Sequence, residues 1–294
     1  MAHPHLKASL AMIVAMAAFV CNDTFVKLTA GRLPVGEIVA LRGALATVII
    51  AAVCWHQGHL PNVAMIATRK VIARALLDLA GTLCFVTALM HMPIANLTAM
   101  MQVVPLTVTA LAAVILGERV GWRRVAAIAV GFLGVALIVK PTPTEISPWE
   151  LLGLGCVLAV SVRDLVTRRI GVHIPSLVIA LANAGFVTAG GLALGLIQGF
   201  IPLALWELGC LVAASVFLAI GYMFMVTTLR LANLSATAPA RYTIVLFSIL
   251  SGMAVFHEFP DGWAILGIAL IVGSGFYAVR REATLKRSAR TPPA

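Results

Sequence analysis

Long apolar stretches separated by short polar connections run through almost the whole chain. Ten can be delimited: near Ala8–Lys27, Val35–Cys54, Val71–Met90, Pro93–Leu116, Trp122–Val139, Trp149–Thr167, Pro175–Gln198, Leu205–Leu229, Asn233–Phe256 and Trp263–Val279. Each holds about 18 to 25 residues, enough at 1.5 Å per helical residue to cross roughly 30 Å of hydrocarbon. The pattern predicts an all-α polytopic membrane protein with ten transmembrane helices. Short connections, several with Pro or Gly, make consecutive helices antiparallel hairpins. Beyond the last stretch the chain turns basic and ends Thr-Pro-Pro-Ala, so residues 282–294 read as a disordered cytoplasmic tail.

Composition agrees with lipid as the solvent. Hydrophobic residues are 61% of the 294 and charged residues 11%, and the mean hydropathy is +1.04. A soluble domain of this length leaves roughly a quarter of its unfolded surface wet, too much for so apolar a chain. The net charge of +10 does not point to nucleic acid, because the basic residues form no long run or patterned helix face. They sit in clusters between stretches, such as Arg69-Lys70, Arg123-Arg124, Arg168-Arg169 and Arg280-Arg281. With both termini inside, Lys and Arg of the connections divide fourteen inside against three outside (Lys27, Arg32, Lys140). That asymmetry sets the orientation. Trp55, Trp122, Trp149, Trp206 and Trp263 all fall at stretch ends, as interfacial anchors do. The first stretch has a thin charged region and no Ala-x-Ala cleavage pattern, and is expected to be a retained helix.

The chain also repeats itself, with a period of about 140 residues. At an offset of 141, Asp23 falls on Asp164, Lys27 on Arg168, Pro34 on Pro175, Arg42 on Asn183, Gly121-Trp122 on Gly262-Trp263 and Gly134 on Gly275. Ala95-Asn-Leu-Thr-Ala99 matches Ala232-Asn-Leu-Ser-Ala236 at 137. The shared order of landmarks defines two copies, 1–140 and 141–281. Five helices per copy is an odd number, so the second copy enters the membrane from the opposite side. Inverted repeats of this kind enclose a midplane site in secondary transporters, and rocking of the halves alternates access to it.

Two further motifs carry a family resemblance. Leu116-Gly-Glu-Arg-Val-Gly-Trp-Arg-Arg124, followed by Gly131-Phe-Leu-Gly134, resembles the end of an EamA repeat of the drug/metabolite transporter superfamily. Ala238-Pro-Ala-Arg-Tyr-Thr243, His257-Glu-Phe-Pro-Asp261 and Gly273-Ser-Gly275 resemble the end of a second repeat, with His257-Glu258 where Gly-Glu is usual. The resemblance spans the chain. It implies ten helices, inside termini, a cavity between the halves and export of small metabolites. Within the superfamily the chain is most similar to bacterial exporters of amino acids, including aromatic ones. Relatives move S-adenosylmethionine, nucleosides, sugars or cationic drugs, so an exporter of organic cations is the alternative.

Polar residues inside apolar stretches are the candidate machinery. A charge at a helix centre costs about 2.5–3.5 kcal/mol on the insertion scale, so each should face the interior and be paired. Asp23 and Arg42 fall at similar depth on consecutive helices. Arg74 and Asp78 are spaced i, i+4, and Asp164 and Arg241 lie at similar depth in the second copy. Structural pairing is the expected role for all six. Asn22, Gln102, Asn183, Tyr222 and Tyr242 are the candidate substrate-binding residues, because they offer donors and acceptors to a zwitterion without a fixed charge that would trap it. Pro105 and Pro239 are candidate kinks. No nucleophile motif, phosphate loop or dinucleotide fingerprint occurs, so no enzyme and no cofactor is expected. The five scattered cysteines read as small buried hydrophobes, and no metal site is expected. A channel is the competing class, although no filter loop or charged ring stands out.

Overall fold

Prolines and glycines mark where the helices begin and end. The computed structural model describes residues 3–58, 60–117, 121–139, 147–170, 174–231, 237 and 240–288. Glu118-Arg119, Lys140, the Ala232–Ala236 motif and Pro239 lie outside the described residues, as do residues 289–294. The helices are α1 His3–Leu28, α2 Val35–His56, α3 Arg69–His91, α4 Ile94–Met101, α5 Val104–Leu116 and α6 Trp122–Val139. They continue as α7 Pro148–Arg168, α8 Ser176–Gln198, α9 Leu205–Leu231, α10 Thr243–Val255 and α11 Gly262–Ser288. A 3-10 helix, Leu60–Ala67, joins α2 to α3. Pro34, Pro93 and Pro175 are the N-caps of α2, α4 and α8, where a missing N–H costs nothing. Gly117 ends α5 at φ 67°, the left-handed C-terminal position that glycine favours.

Among the described residues, eight stretches are long and apolar enough, by themselves, to cross a membrane: α1, α2, α3, the span Ile94–Leu116, α6, α8, α9 and α11. Two of the ten expected segments differ. α7 carries Glu150, Arg163, Asp164 and Arg168, which lower its hydropathy, and the described helix of the ninth segment has only 13 residues. The fourth segment is two helices, broken at Gln102-Val103. Pro105 stands in the first turn of α5, so it starts a helix instead of bending one. α11 continues to Ser288, so residues 282–288, expected as disordered tail, are helical. The outward surface is apolar: Leu196, Ile197 and Leu205 are 75%, 83% and 88% exposed, which suits contact with lipid tails.

Two compact units are present, and they are not the two sequence copies. The first takes residues 1–21, 93–147 and 217–294, the second residues 22–92 and 148–216. In the second unit α2 and α8 pack face to face through small residues. A Cβ on Gly191 would stand 2.5 Å from Ala40 N, one on Gly43 2.7 Å from Thr188 Oγ1, and one on Gly36 would run into the Gly195 backbone. Contacts rising along α2 (36, 40, 43) fall along α8 (195, 191, 188), so the helices are antiparallel. Thr47 Oγ1 and Thr188 Oγ1 lie 3.0 Å apart at this crossing. A small apolar cluster of Val71, Ile174, Val178 and Ala182 closes one end of the unit.

The first unit has a similar contact. A Cβ on Gly134 of α6 would stand 2.7 Å from Gly267 O of α11, and one on Gly267 2.6 Å from Gly134 O. Small residues let helix backbones approach where lipid supplies no hydrophobic drive to association. Met12, Ala15 and Met16 of α1 pack with Ala240, and Thr228 Oγ1 of α9 donates to Ala8 O at 3.3 Å.

Candidate functional site

Most of the polar side chains that α1, α2, α3 and α7 carry within their spans meet in two places, both in the second unit. On α1 and α2, Arg42 Nη1 donates to Asn22 Oδ1 at 3.5 Å, and Asn22 Nδ2 donates to Asp23 Oδ1 at 2.8 Å. Arg42 and Asp23 therefore meet through an amide and not, as expected, directly. Asn22 is buried, while Asp23 and Arg42 are half-buried.

On α3 and α7 the centre is Arg163. Its Nη1 donates to Asp78 Oδ1 at 2.5 Å, and its Nε and Nη2 to Asp164 Oδ1 at 3.1 and 2.8 Å. The pairing expected within α3 gives way to pairing across helices: Asp78 takes Arg163, and Arg74 Nε donates to Thr167 Oγ1 at 2.8 Å. Arg163 was legible only as a basic residue inside a span; its adjacency to Asp164 was the available signal. Asp164 thus pairs with its neighbour and not with Arg241, which makes no ion pair among the described residues.

The remaining candidates stand apart from these clusters. Asn183 lies on α8 in the second unit, and its buried Oδ1 has no hydrogen-bond partner among the described residues. Gln102, Tyr222 and Tyr242 belong to the first unit. Gln102 is buried at the α4–α5 break, its Nε2 3.5 Å from Thr98 O. Tyr222 is 60% exposed and meets Phe19 edge-on at 5.5 Å. Tyr242 precedes α10, with its hydroxyl laid over Gly275 of α11.

One end of the second unit holds polar residues that sequence reasoning left in loops or passed over. Lys27, counted with the outer connections, is buried in the last turn of α1 and donates to Met92 O at 2.7 Å. Glu37 is 2% exposed and accepts from Ile201 N at 3.1 Å, and Gln198 Oε1 accepts from Gly36 N at 2.9 Å. Glu207, 3% exposed, accepts from Ala204 N at 2.8 Å and pairs with Arg32 at 3.2 Å. Arg32 also lies over the Trp206 ring at 5.6 Å. The Gly36–Gln198, Glu37–Ile201 and Arg32–Glu207 contacts fasten the α1–α2 connection to the α8–α9 connection. Each buried acid thereby answers a backbone N–H that would otherwise stand unpaired. Nothing in the hydropathy pattern marks them, because they fall at stretch ends where charge is ordinary.

Known proteins place this arrangement. The chain is 24% identical over 263 residues to an S-adenosylmethionine uptake transporter of Rickettsia prowazekii, covering 89% of this chain and 88% of that one. It is 26% identical over 264 residues to a pseudopaline exporter of Pseudomonas aeruginosa, covering 88% and 91%. A riboflavin transporter of Rhizobium johnstonii is 28% identical over 218 residues, covering 74% and 72%. A solved crystal structure superposes with a TM-score of 0.60 at 19% identity, covering 96% of this chain and 99% of that one, and so shares the fold. The model of the EamA-like transporter family matches twice, over residues 6–140 and 147–280. With both matches together spanning nearly all of its length, this multi-pass membrane chain belongs to the EamA-like transporter family.

Proposed function

We propose that the protein is a secondary transporter of the bacterial inner membrane, with both termini cytoplasmic. It exports small zwitterionic metabolites, amino acids and their derivatives, by alternating access between two inverted five-helix halves. The observation that carries this reading is the antiparallel packing of α2 on α8 and of α6 on α11. At the offset of 141 these are the same helices of the two copies, and Thr47 and Thr188 are the same position. Equivalent helices that run in opposite directions are what an inverted repeat requires, and inversion is what makes the two access states interchangeable.

Two observations support the substrate class. Side chains of both charge signs stand at the α1–α2 contact within the spans, which suits a solute carrying both signs. Among the relatives are transporters named for S-adenosylmethionine, a methionine derivative. The relatives' names give both directions, uptake and export, so the direction needs its own measurement. Proteoliposomes loaded with unlabelled amino acid should accumulate the same radiolabelled amino acid by counterflow, which a channel does not support. Cells overproducing the protein should lower their intracellular amino-acid levels and resist toxic amino-acid analogues. Counterflow of tetraphenylphosphonium but of no amino acid would transfer the protein to the organic-cation exporters.

A further inference from the structure

The two sequence copies hold the same three polar side chains in an exchanged arrangement. At the offset of 141, Asn22 falls on Arg163, Asp23 on Asp164 and Arg42 on Asn183. At these three positions each copy therefore has one aspartate, one arginine and one asparagine, with arginine and asparagine traded. In both copies the aspartate accepts from the side chain just before it, Asn22 in one and Arg163 in the other. The trade has a physical consequence. In the second copy the guanidinium lies directly on the aspartate, and α3 adds a second carboxylate, Asp78, on the same guanidinium. Those charges are spent on each other.

In the first copy a neutral amide stands between the charges. Among the described residues, the one hydrogen bond of the Arg42 guanidinium is the long 3.5 Å contact to Asn22 Oδ1. A guanidinium has five N–H donors in a planar fork, so four are left over. The Asp23 carboxylate accepts from the Asn22 amide and from no other described side chain. Both residues are half-buried within the span, where charges are costly to keep uncompensated. A direct ion pair would have to be broken before a ligand entered; this one is already held open.

We propose that Asp23 and Arg42, kept apart by Asn22, bind the two charges of a zwitterionic α-amino acid. The solute carboxylate lies on the Arg42 fork, and its ammonium group on Asp23. Asn22 is a positioning residue that supplies the spacing, and the Arg163 cluster is its structural counterpart. This deepens the amino-acid reading above and rests on it.

The test uses the full-length protein in detergent, with the radiolabelled proteinogenic amino acids and S-adenosylmethionine as probes. The best-retained amino acid is then compared with its carboxamide and its N-acetyl form. Wild type should bind both derivatives at least about tenfold more weakly, since each lacks one charge-assisted contact. Arg42→Gln should lose about tenfold for the amino acid yet bind the carboxamide as wild type does. Asp23→Asn should lose about tenfold for the amino acid yet bind the N-acetyl form as wild type does. Folded variants that bind the amino acid like wild type would overturn the site and leave the transport reading standing. Failure of wild type to bind any of these zwitterions would overturn both. A readout that needs no variant is phenylglyoxal labelling followed by mass spectrometry. The bound amino acid should protect Arg42, and unchanged labelling of Arg42 at saturating amino acid would also overturn the site.

Discussion

His257 is the one described residue other than glycine with a positive φ, at 55°. The left-handed region costs most L-residues about 1–2 kcal/mol, and histidine tolerates it better than most. Gly117, at the corresponding turn of the first copy, adopts φ 67°. The Gly-Glu expected in the second repeat is thus a backbone requirement that this chain meets with a strained side chain. His257→Gly should raise the melting temperature, by a gain of up to about 1 kcal/mol once glycine's own entropy cost is set against the relief. Arg163 gives the opposite sign. Removing it strands Asp78 and Asp164 together, which for a fully buried pair costs about 3–5 kcal/mol. These groups are about a fifth to two-fifths exposed, so Arg163→Gln should cost less than that, read as a lower yield of monodisperse protein. Asp78→Asn should cost less again, because Arg163 keeps Asp164. Asn22, Asp23 and Arg42 were each legible, Asn22 as a binding candidate and the other two as a charge pair, since a polar residue inside an apolar stretch is conspicuous. Their order of contact was not, because which side chain reaches which depends on the rotation of two packed helices and leaves no trace in spacing.

Helix pairs obey a simpler rule, and more of it could be read in advance. The apolar stretches give the ends of α2, α3, α6 and α8 to within a few residues, because proline and interfacial tryptophan fall at the boundaries. The break between α4 and α5 escaped notice, since Gln102 and Val103 look like a continuing helix and only Pro105 hinted at a new start. α8 holds four glycines, and their spacing alone does not say which of them meets a neighbouring helix. The structure separates them. Gly191 touches the α2 backbone, which cannot yield, whereas Gly185 on the same helix faces open space. Gly191→Ala should therefore destabilise by about 1–3 kcal/mol through overpacking. Gly185→Ala should be neutral or gain up to about 1 kcal/mol from helix propensity. Thermal denaturation of the two single variants checks the contrast; equal behaviour would mean that the α2–α8 contact is looser than described.

Over the whole molecule, the repeat is visible in the sequence but the compact units are not, because each unit is assembled from both copies. Contacts between copies leave no periodic signature along either one. The proposed inversion, with the termini inside, predicts Glu118 inside and Glu258 outside. Single cysteines at positions 119 and 260, in a cysteine-free background, should differ in their access to an impermeant reagent applied from one side. Equal access would refute inversion. The charged contact between α3 and α7 bears, finally, on how the chain enters the membrane at all. α7 has four charges and falls short of a self-sufficient span, and beyond its own Asp164 its Arg163 pairs, among the described residues, with Asp78 of α3. α3 emerges from the ribosome first. The last residue of α7 follows 77 positions after His91, a wait of about 4 to 15 s at about 5–20 residues per second. Integration of α7 is thus a bimolecular event in miniature, in which an earlier helix must linger near the insertion site as a counter-charge for a later one. In an insertion assay with a glycosylation reporter, α7 alone should integrate poorly and improve when α3 precedes it. Asp78→Ala in α3 should cancel that help, making a folding defect out of a missed appointment during synthesis.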